Sequence, residues 1–173
     1  AEYDATPIRV LAVLRETKVT PSSEGQVTGF DVREFLRNGK LERTYSTVAR
    51  WAWAAAGGFP PVAQVNGLRR DVRVRLIRSI AIINLKKLAG RASANIGVVS
   101  AAAHQDDALL HRQVALLDPD VVIAGGTWEH AAALCGHPVV APIGLPQAAV
   151  VGSRLLLGFH HPSARGRTRW QRD

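Results

Sequence analysis

Residues 155–167 read LLLGFHHPSARGR, an apolar run that ends in a polar turn. Four to eight apolar residues closed by turn formers are typical of a buried strand, so this stretch predicts a core strand over residues 155–159. In α/β sheets, ligands bind where strands end at their carboxyl edge. The strand would therefore deliver His161 to a site, and the arginines that follow it favour a phosphate-bearing partner. The alternative is an ordinary His-Pro turn.

Upstream of this strand, the chain alternates between strand and helix patterns. Apolar runs predict strands over residues 8–14, 79–83 and 121–124, and apolar residues at helical spacing predict helices over residues 44–56, 103–117 and 128–134. Thr127 is a candidate N-cap for the last helix. Residues 19–43 and 60–78 have no clean period and stay unassigned. The alternation predicts an α/β fold with a mostly parallel sheet covered on both faces, in a single domain spanning residues 1–173.

The composition limits the class of protein. Of the 173 residues, 47% are hydrophobic and 21% are charged, which is ordinary for a folded domain. The single cysteine, Cys135, excludes an internal disulfide and any multi-cysteine zinc or iron–sulfur site within the chain. No run approaches the roughly 20 apolar residues that span a bilayer, and residues 1–5 lack a signal-peptide pattern. We therefore expect a cytoplasmic protein that does not bind membranes.

The formal net charge of +8 is unevenly distributed. Residues 151–173 carry five arginines against one acidic residue, Asp173. A second group of arginines occupies residues 69–78. Clustered cations are the footprint of a protein that neutralises the phosphates of a nucleic acid. The alternative is a solvated basic face with no partner.

Residues able to do chemistry follow each predicted strand, namely RETK at 15–18, Asn84, GGT at 125–127 and HPS at 161–163. This order resembles the uracil-DNA glycosylase superfamily. In that superfamily the first strand runs into a loop bearing Asp, Asn or Glu, a later strand ends in Asn, and the last ends in His-Pro-Ser. The closest matches are IINL at 82–85 and HPSAR at 161–165. The resemblance implies a three-layer α/β/α sandwich around a four-stranded, mostly parallel sheet.

The resemblance also implies a site. Glu16 and His161 would be the catalytic residues, and Asn84 would bind the base. Phe30 would stack on the base, with Tyr45 as the alternative stacking residue. The loop that begins at Ser163 would enter the duplex, so the implied DNA contacts are Lys18, Ser163, Ala164, Arg165 and Arg167. The first motif, residues 15–18, lacks the glycine and proline that are usual in the superfamily. Glu16 matches those branches of the superfamily in which a glutamate lies one position before the usual carboxylate or amide.

The residue types also fit the chemistry of breaking a bond between deoxyribose and base. Positive charge builds on the sugar and negative charge on the base, so a site needs an anion near one and hydrogen-bond donors near the other. Glu16 supplies a carboxylate that can orient water, the amide of Asn84 can pair with a pyrimidine edge, and His161 can donate to the base oxygen. The alternatives are that Glu16 only pairs with Lys18 or an arginine, and that Asn84 only caps the following segment.

We therefore expect a monomeric DNA glycosylase that removes a damaged or deaminated base, uracil first among the candidates. The reaction needs no metal, and no other cofactor is expected. Separately, His104 and His111 are too far apart on one helix to share an ion easily. One alternative is a catalytically weak or inactive DNA-binding module of the same fold. Another is a small-molecule hydrolase or nucleotide-binding domain, which leaves the clustered arginines without a role.

Overall fold

The computed structural model describes residues 2–16, 34, 38, 41–87, 95–138 and 147–164. A short 3-10 helix, Tyr3–Ala5, comes first. The α-helices are α1 (Arg43–Ala56), α2 (Val62–Asn66), α3 (Arg70–Arg78), α4 (Ile96–Gln105), α5 (Asp107–Leu117) and α6 (Trp128–Leu134). The strands are β1 (Val10–Leu14), β2 (Ala81–Asn84), β3 (Val121–Gly125), β4 (Gln147–Val151) and β5 (Arg154–Phe159).

The strands form one sheet in the order β2-β1-β3-β5-β4. The first four in that order run parallel, and β4 runs antiparallel to β5 at the edge. The α/β class and the mostly parallel sheet are confirmed, but within the described residues the sheet has five strands, where the resemblance implies four. Only Gly152 and Ser153 separate β4 from β5. Such a two-residue turn is typical of a β-hairpin, and the sequence analysis does not identify it. Val150 of β4 is 72% exposed, as an edge position allows.

Successive side chains of a strand point to opposite faces of the sheet. Leu11 and Val13 of β1 belong to a core cluster with residues of α4, α5 and α6. Ala12 and Leu14 belong to a second cluster with residues of α1 and with Ile77 of α3. Both β1 and β3 are buried along their whole length, as expected of central strands in a parallel sheet. The molecule is therefore a three-layer α/β/α sandwich.

The helices differ from prediction in two places. The single helix predicted over residues 103–117 is two helices, α4 and α5, which meet at Asp106. The unassigned residues 60–78 contain α2 and α3, and only Ile77 of these two helices is buried, so the apolar period is faint. By contrast, α6 has its predicted bounds and α1 begins one residue early. None of the helices in the described ranges is long and apolar enough to cross a membrane.

We expect Gly158→Ala to destabilise the protein, because a Cβ at this position would lie 2.5 Å from Cε3 of Trp128. Either the strand or the indole must then move, and overpacking of this kind costs about 1–3 kcal/mol. Urea unfolding measures the change in the free energy of unfolding. The same substitution in a Trp128→Leu background should cost less, and an equal loss in both backgrounds would contradict the contact as the cause.

Candidate active site at the carboxyl edge of the sheet

The parallel register brings the ends of neighbouring strands together. Leu14 pairs with Asn84 across β1 and β2, and Gly125 pairs with Phe159 across β3 and β5. Backbone hydrogen bonds continue this pairing beyond the strands: Lys86 N donates to Arg15 O at 2.9 Å, and Gly126 N donates to Phe159 O at 2.8 Å. The polar residues that follow the strands are therefore held at one edge, as the sequence predicts.

Gly126 lies where the ends of β1, β3 and β5 meet. Its φ is +71°, in the left-handed region. A Cβ would lie 3.0 Å from Nη2 of Arg15 and 3.1 Å from the backbone nitrogen of His161. Its carbonyl accepts a hydrogen bond from Nε of Arg15 at 3.2 Å. Glycine at this position therefore lets the Arg15 side chain and His161 approach each other.

His161 is held in a defined tautomer. The backbone N–H of Ser163 donates to Nδ1 of His161 at 3.3 Å, and the Ser163 hydroxyl lies 2.8 Å from the same atom. Because a backbone N–H can only donate, Nδ1 is the acceptor, and the proton of the neutral ring is on Nε2. Burial lowers the pKa of His161 to about 4, with a further contribution from the charge of Arg15. At neutral pH the ring therefore presents an uncharged Nε2–H donor.

The turn that carries His161 is fixed by its neighbours. Ala164 N donates to His161 O at 2.8 Å. A Cβ on Gly125 would lie 3.1 Å from Cδ of Pro162, so the proline packs closely on the end of β3. Ser163 also stabilises the turn, because its backbone N–H donates to the His161 ring. The described part of this loop ends at Ala164.

Glu16 forms an ion pair with Lys86, with 2.6 Å between Oε2 and Nζ. The side chains are 8% and 16% exposed, respectively, so the pair is largely shielded from water. Glu16 therefore does pair with a cation, as one interpretation of the sequence proposes. Its partner is Lys86 rather than Lys18 or an arginine. Lys86 is two residues beyond Asn84, and the pairing of β1 with β2 brings it to Glu16.

Asn84 is the last residue of β2 and is partly buried. It lies opposite Leu14 of β1, so it occupies the carboxyl edge beside the segment that carries Glu16. Strand alternation puts Asn84 on the same face of the sheet as Ile82, which packs with the α1 and α3 cluster. The structure thus brings Glu16, Asn84 and His161 to one edge.

Four of the predicted site residues, Lys18, Phe30, Arg165 and Arg167, lie outside the described residues. Tyr45, the alternative stacking residue, is wrong for that role, because the residue is only 7% exposed and packs in a core cluster with Leu14 and Val48. Burial accordingly raises the pKa of Tyr45 to about 12. The carboxyl edge also holds Arg15, Lys86 and Gly126. From the sequence, Arg15 and Gly126 are expected at strand ends but have no assigned role, and Lys86 is not singled out.

Thr127 and the histidines His104 and His111 have surroundings that differ from those the sequence predicts. Thr127 precedes α6, but its hydroxyl donates to Val13 O at 2.7 Å rather than capping the helix, so it ties β3 to β1. His104 and His111 lie on different helices, and the ring of His104 makes an edge contact with His130. Within the described ranges, no group of three or more metal-ligating side chains is close enough to hold an ion.

Comparison with known proteins does not assign the chain to a family. No protein-family model matches it, and no curated protein matches it. The interpretation of the carboxyl edge therefore depends on its residues and their geometry.

Lys86→Met should destabilise the protein by about 3 kcal/mol, since removing one partner of a buried ion pair leaves the other charge uncompensated. Urea unfolding of Lys86→Met, Glu16→Gln and the double variant measures this coupling, because urea is uncharged and does not screen the ion pair. The double variant should recover most of the loss. Purely additive losses would contradict a coupled pair.

Arg15→Met should raise the pKa of His161 above about 4, since it removes the charge contribution, but burial should keep it below the usual 6.5. NMR titration of the His161 ring measures this value, and Arg15→Lys, which keeps the charge, is the control.

Because the pKa of His161 in the native protein is below its value in the unfolded chain, the unfolded chain is protonated first as the pH falls. The stability from a neutral His161 is therefore complete above pH 6.5 and lost between pH 6.5 and about 4. An unchanged pKa in Arg15→Met would contradict the role of Arg15.

Proposed function

We propose that the protein is a DNA glycosylase that hydrolyses the bond between deoxyribose and a damaged or deaminated base, with uracil the first candidate. The observation that carries the proposal is the neutral, oriented imidazole of His161 at the same sheet edge as Glu16 and Asn84. A neutral ring with its proton on Nε2 is a hydrogen-bond donor that adds no full positive charge.

Each of the three side chains has a role in the proposed reaction. As the bond breaks, negative charge moves onto the base, and the Nε2–H of His161 donates to the oxygen that gains it. The carboxylate of Glu16 stabilises the positive charge on the sugar and orients the attacking water. The amide of Asn84 reads the edge of the base, since it offers both a donor and an acceptor. Protonation of Nδ1 would abolish its bond from the Ser163 N–H, so the low pKa of His161 preserves the geometry.

The base must leave the duplex before it reaches this edge, at a cost of a few kcal/mol. In the proposal, the loop that carries Ser163, Ala164 and Arg165 enters the duplex, and Arg167 binds a phosphate. The formal net charge of +8 supports a nucleic acid as partner. The proposed enzyme acts as a cytoplasmic monomer with no metal or other cofactor.

One observation favours a second candidate, a DNA-binding module of the same fold with weak or no activity. Lys86 already compensates the carboxylate of Glu16 at 2.6 Å. A carboxylate in such a pair stabilises a sugar cation less than a free one, because the nearby ammonium opposes its field. The two candidates share the DNA-binding surface and differ in turnover.

Cleavage of labelled DNA carrying uracil, hypoxanthine or xanthine tests the proposal, in single strands and in mispaired duplexes, with alkali to reveal abasic sites. We expect His161→Ala to lower the rate by about 10²–10³-fold, as for one lost oxyanion donor, and Glu16→Ala to abolish detectable product. The exposed His111 of α5 provides the control, and His111→Ala should keep the native rate.

The outcomes separate the candidates. Product that is lost in both site variants but kept in the control supports the glycosylase and identifies its base. No product from folded protein that still binds DNA favours the inactive module. DNA affinity that does not change with salt would contradict both, because phosphate binding makes affinity fall with log salt.

A further inference from the structure

Two arginines from different helices converge on one buried serine. Ser46 of α1 is 8% exposed. Its hydroxyl oxygen accepts a hydrogen bond from Nη1 of Arg50 in the same helix at 3.0 Å, and from Nη1 of Arg73 of α3 at 2.5 Å. A hydroxyl oxygen has two acceptor sites, so both are occupied. We call Arg50 and Arg73 the arginine pair.

Among the described residues, no carboxylate compensates the arginine pair. Five other arginines each form an ion pair with an aspartate or glutamate, namely Arg9, Arg69, Arg75, Arg78 and Arg154. Within the described ranges, Arg50 and Arg73 hydrogen-bond only to the neutral Ser46, and the Nε atom of each is buried with no hydrogen-bond partner there. Two partly buried like charges therefore face each other at a cost in stability.

The electrostatic strain is visible in Arg50. Burial, followed by the charge of Arg73, lowers the pKa of Arg50 below its ordinary value. The start of α3 adds to the excess of cations, since Arg69, Arg70 and Arg73 lie at or within its first turn beside the single acid Asp71. A helix N-terminus favours anions over cations. An anion that binds here would relieve both repulsions.

The geometry also favours an oxygen-rich anion. A guanidinium presents its N–H groups in a planar fork that matches the oxygens of a phosphate, and each arginine uses one terminal nitrogen on Ser46. The pair lies near the carboxyl edge, because α1 runs antiparallel to the strands. Tyr45 clusters with Leu14 at the end of β1, whereas Ala55 clusters with Val10 at its beginning.

We propose that Arg50 and Arg73, held together by Ser46, form a binding site for a phosphate group. The site is additional to the residues proposed for base removal and does not require that activity. The phosphate belongs either to a DNA backbone or to a free phosphate compound. Only the first source depends on the proposed DNA binding.

Thermal unfolding in inorganic phosphate, compared with chloride at equal ionic strength, tests the site without DNA. Phosphate should raise the Tm of the native protein by several degrees more than that of Arg73→Gln or Arg50→Gln. In chloride, each variant should be at least as stable as the native protein, because one of two repelling charges is gone. The control is Arg75→Gln, which removes an exposed arginine of the same helix that pairs with Asp71, and it should respond to phosphate like the native protein. An equal phosphate response in all four proteins would overturn the proposal.

Binding of undamaged duplex DNA at several salt concentrations then identifies the source. If the pair holds a backbone phosphate, Arg73→Gln and Arg50→Gln should each reduce the slope of log affinity against log salt by about one. An unchanged slope, together with a lost response to inorganic phosphate, supports the site and assigns it to a free phosphate compound. Failure of base removal alone would leave both results intact, so the two proposals can fail separately.

Discussion

The arrangement of the candidate site depends on Gly126, where three strand ends meet. Its N–H bonds to the end of β5, and its carbonyl accepts from Arg15 at the end of β1. The absent side chain leaves room for both Arg15 and His161. This contact is possible only because β1, β3 and β5 are adjacent and parallel, with their carboxyl ends at the same height. A helix or an antiparallel strand in place of β3 would separate His161 from Arg15 and remove the charge that helps to keep the ring neutral.

Two cations shape the electrostatics of this edge in different ways. Lys86 compensates the carboxylate of Glu16, whereas Arg15 disfavours a second positive charge on His161. Together with Glu16, the described edge carries two fixed cations against one anion. A neutral histidine in such surroundings is suited to an electron-rich oxygen, because the cations stabilise negative charge that develops nearby. In the proposed reaction, the same cations would oppose positive charge that develops on the sugar, and the Glu16–Lys86 pair is therefore the feature that favours the second candidate.

Local sequence patterns predict what depends on local burial, and they fail where partners are distant in the chain. The runs that form β1, β3 and β5 are apolar because these strands are covered on both faces, so their positions and the residues that follow them are predictable. In contrast, β4 packs at an edge, and α3 buries only Ile77, so the apolar residues of neither element recur at a clear spacing in the sequence. The partner of Glu16 is 70 residues away, and the contact of Arg15 with Gly126 spans 111. Such pairs follow from strand register, which the sequence does not reveal. The predicted roles of Lys18, Phe30, Arg165 and Arg167 concern residues outside the described ranges and stay predictions.

The arginines in the described part of the chain do not form an evenly solvated basic surface. At the amino edge of the sheet, Arg9 and Arg154 both bind Asp118, and Arg9 also binds Asp120. The pKa values of both aspartates are lowered, for Asp118 chiefly by its hydrogen bond from Arg154 and for Asp120 chiefly by the backbone N–H of Arg9. These arginines therefore stabilise the beginnings of strands, and their charges are compensated, so they attract a charged partner only weakly.

The arginine pair of α1 and α3 is different, since it is partly buried, shares a neutral serine and has no acid among the described residues. On a solvated basic face, each guanidinium would stay in water and would pay no desolvation cost. Burying two of them together without an anion opposes folding, and binding a phosphate is the physical role that would compensate for that loss.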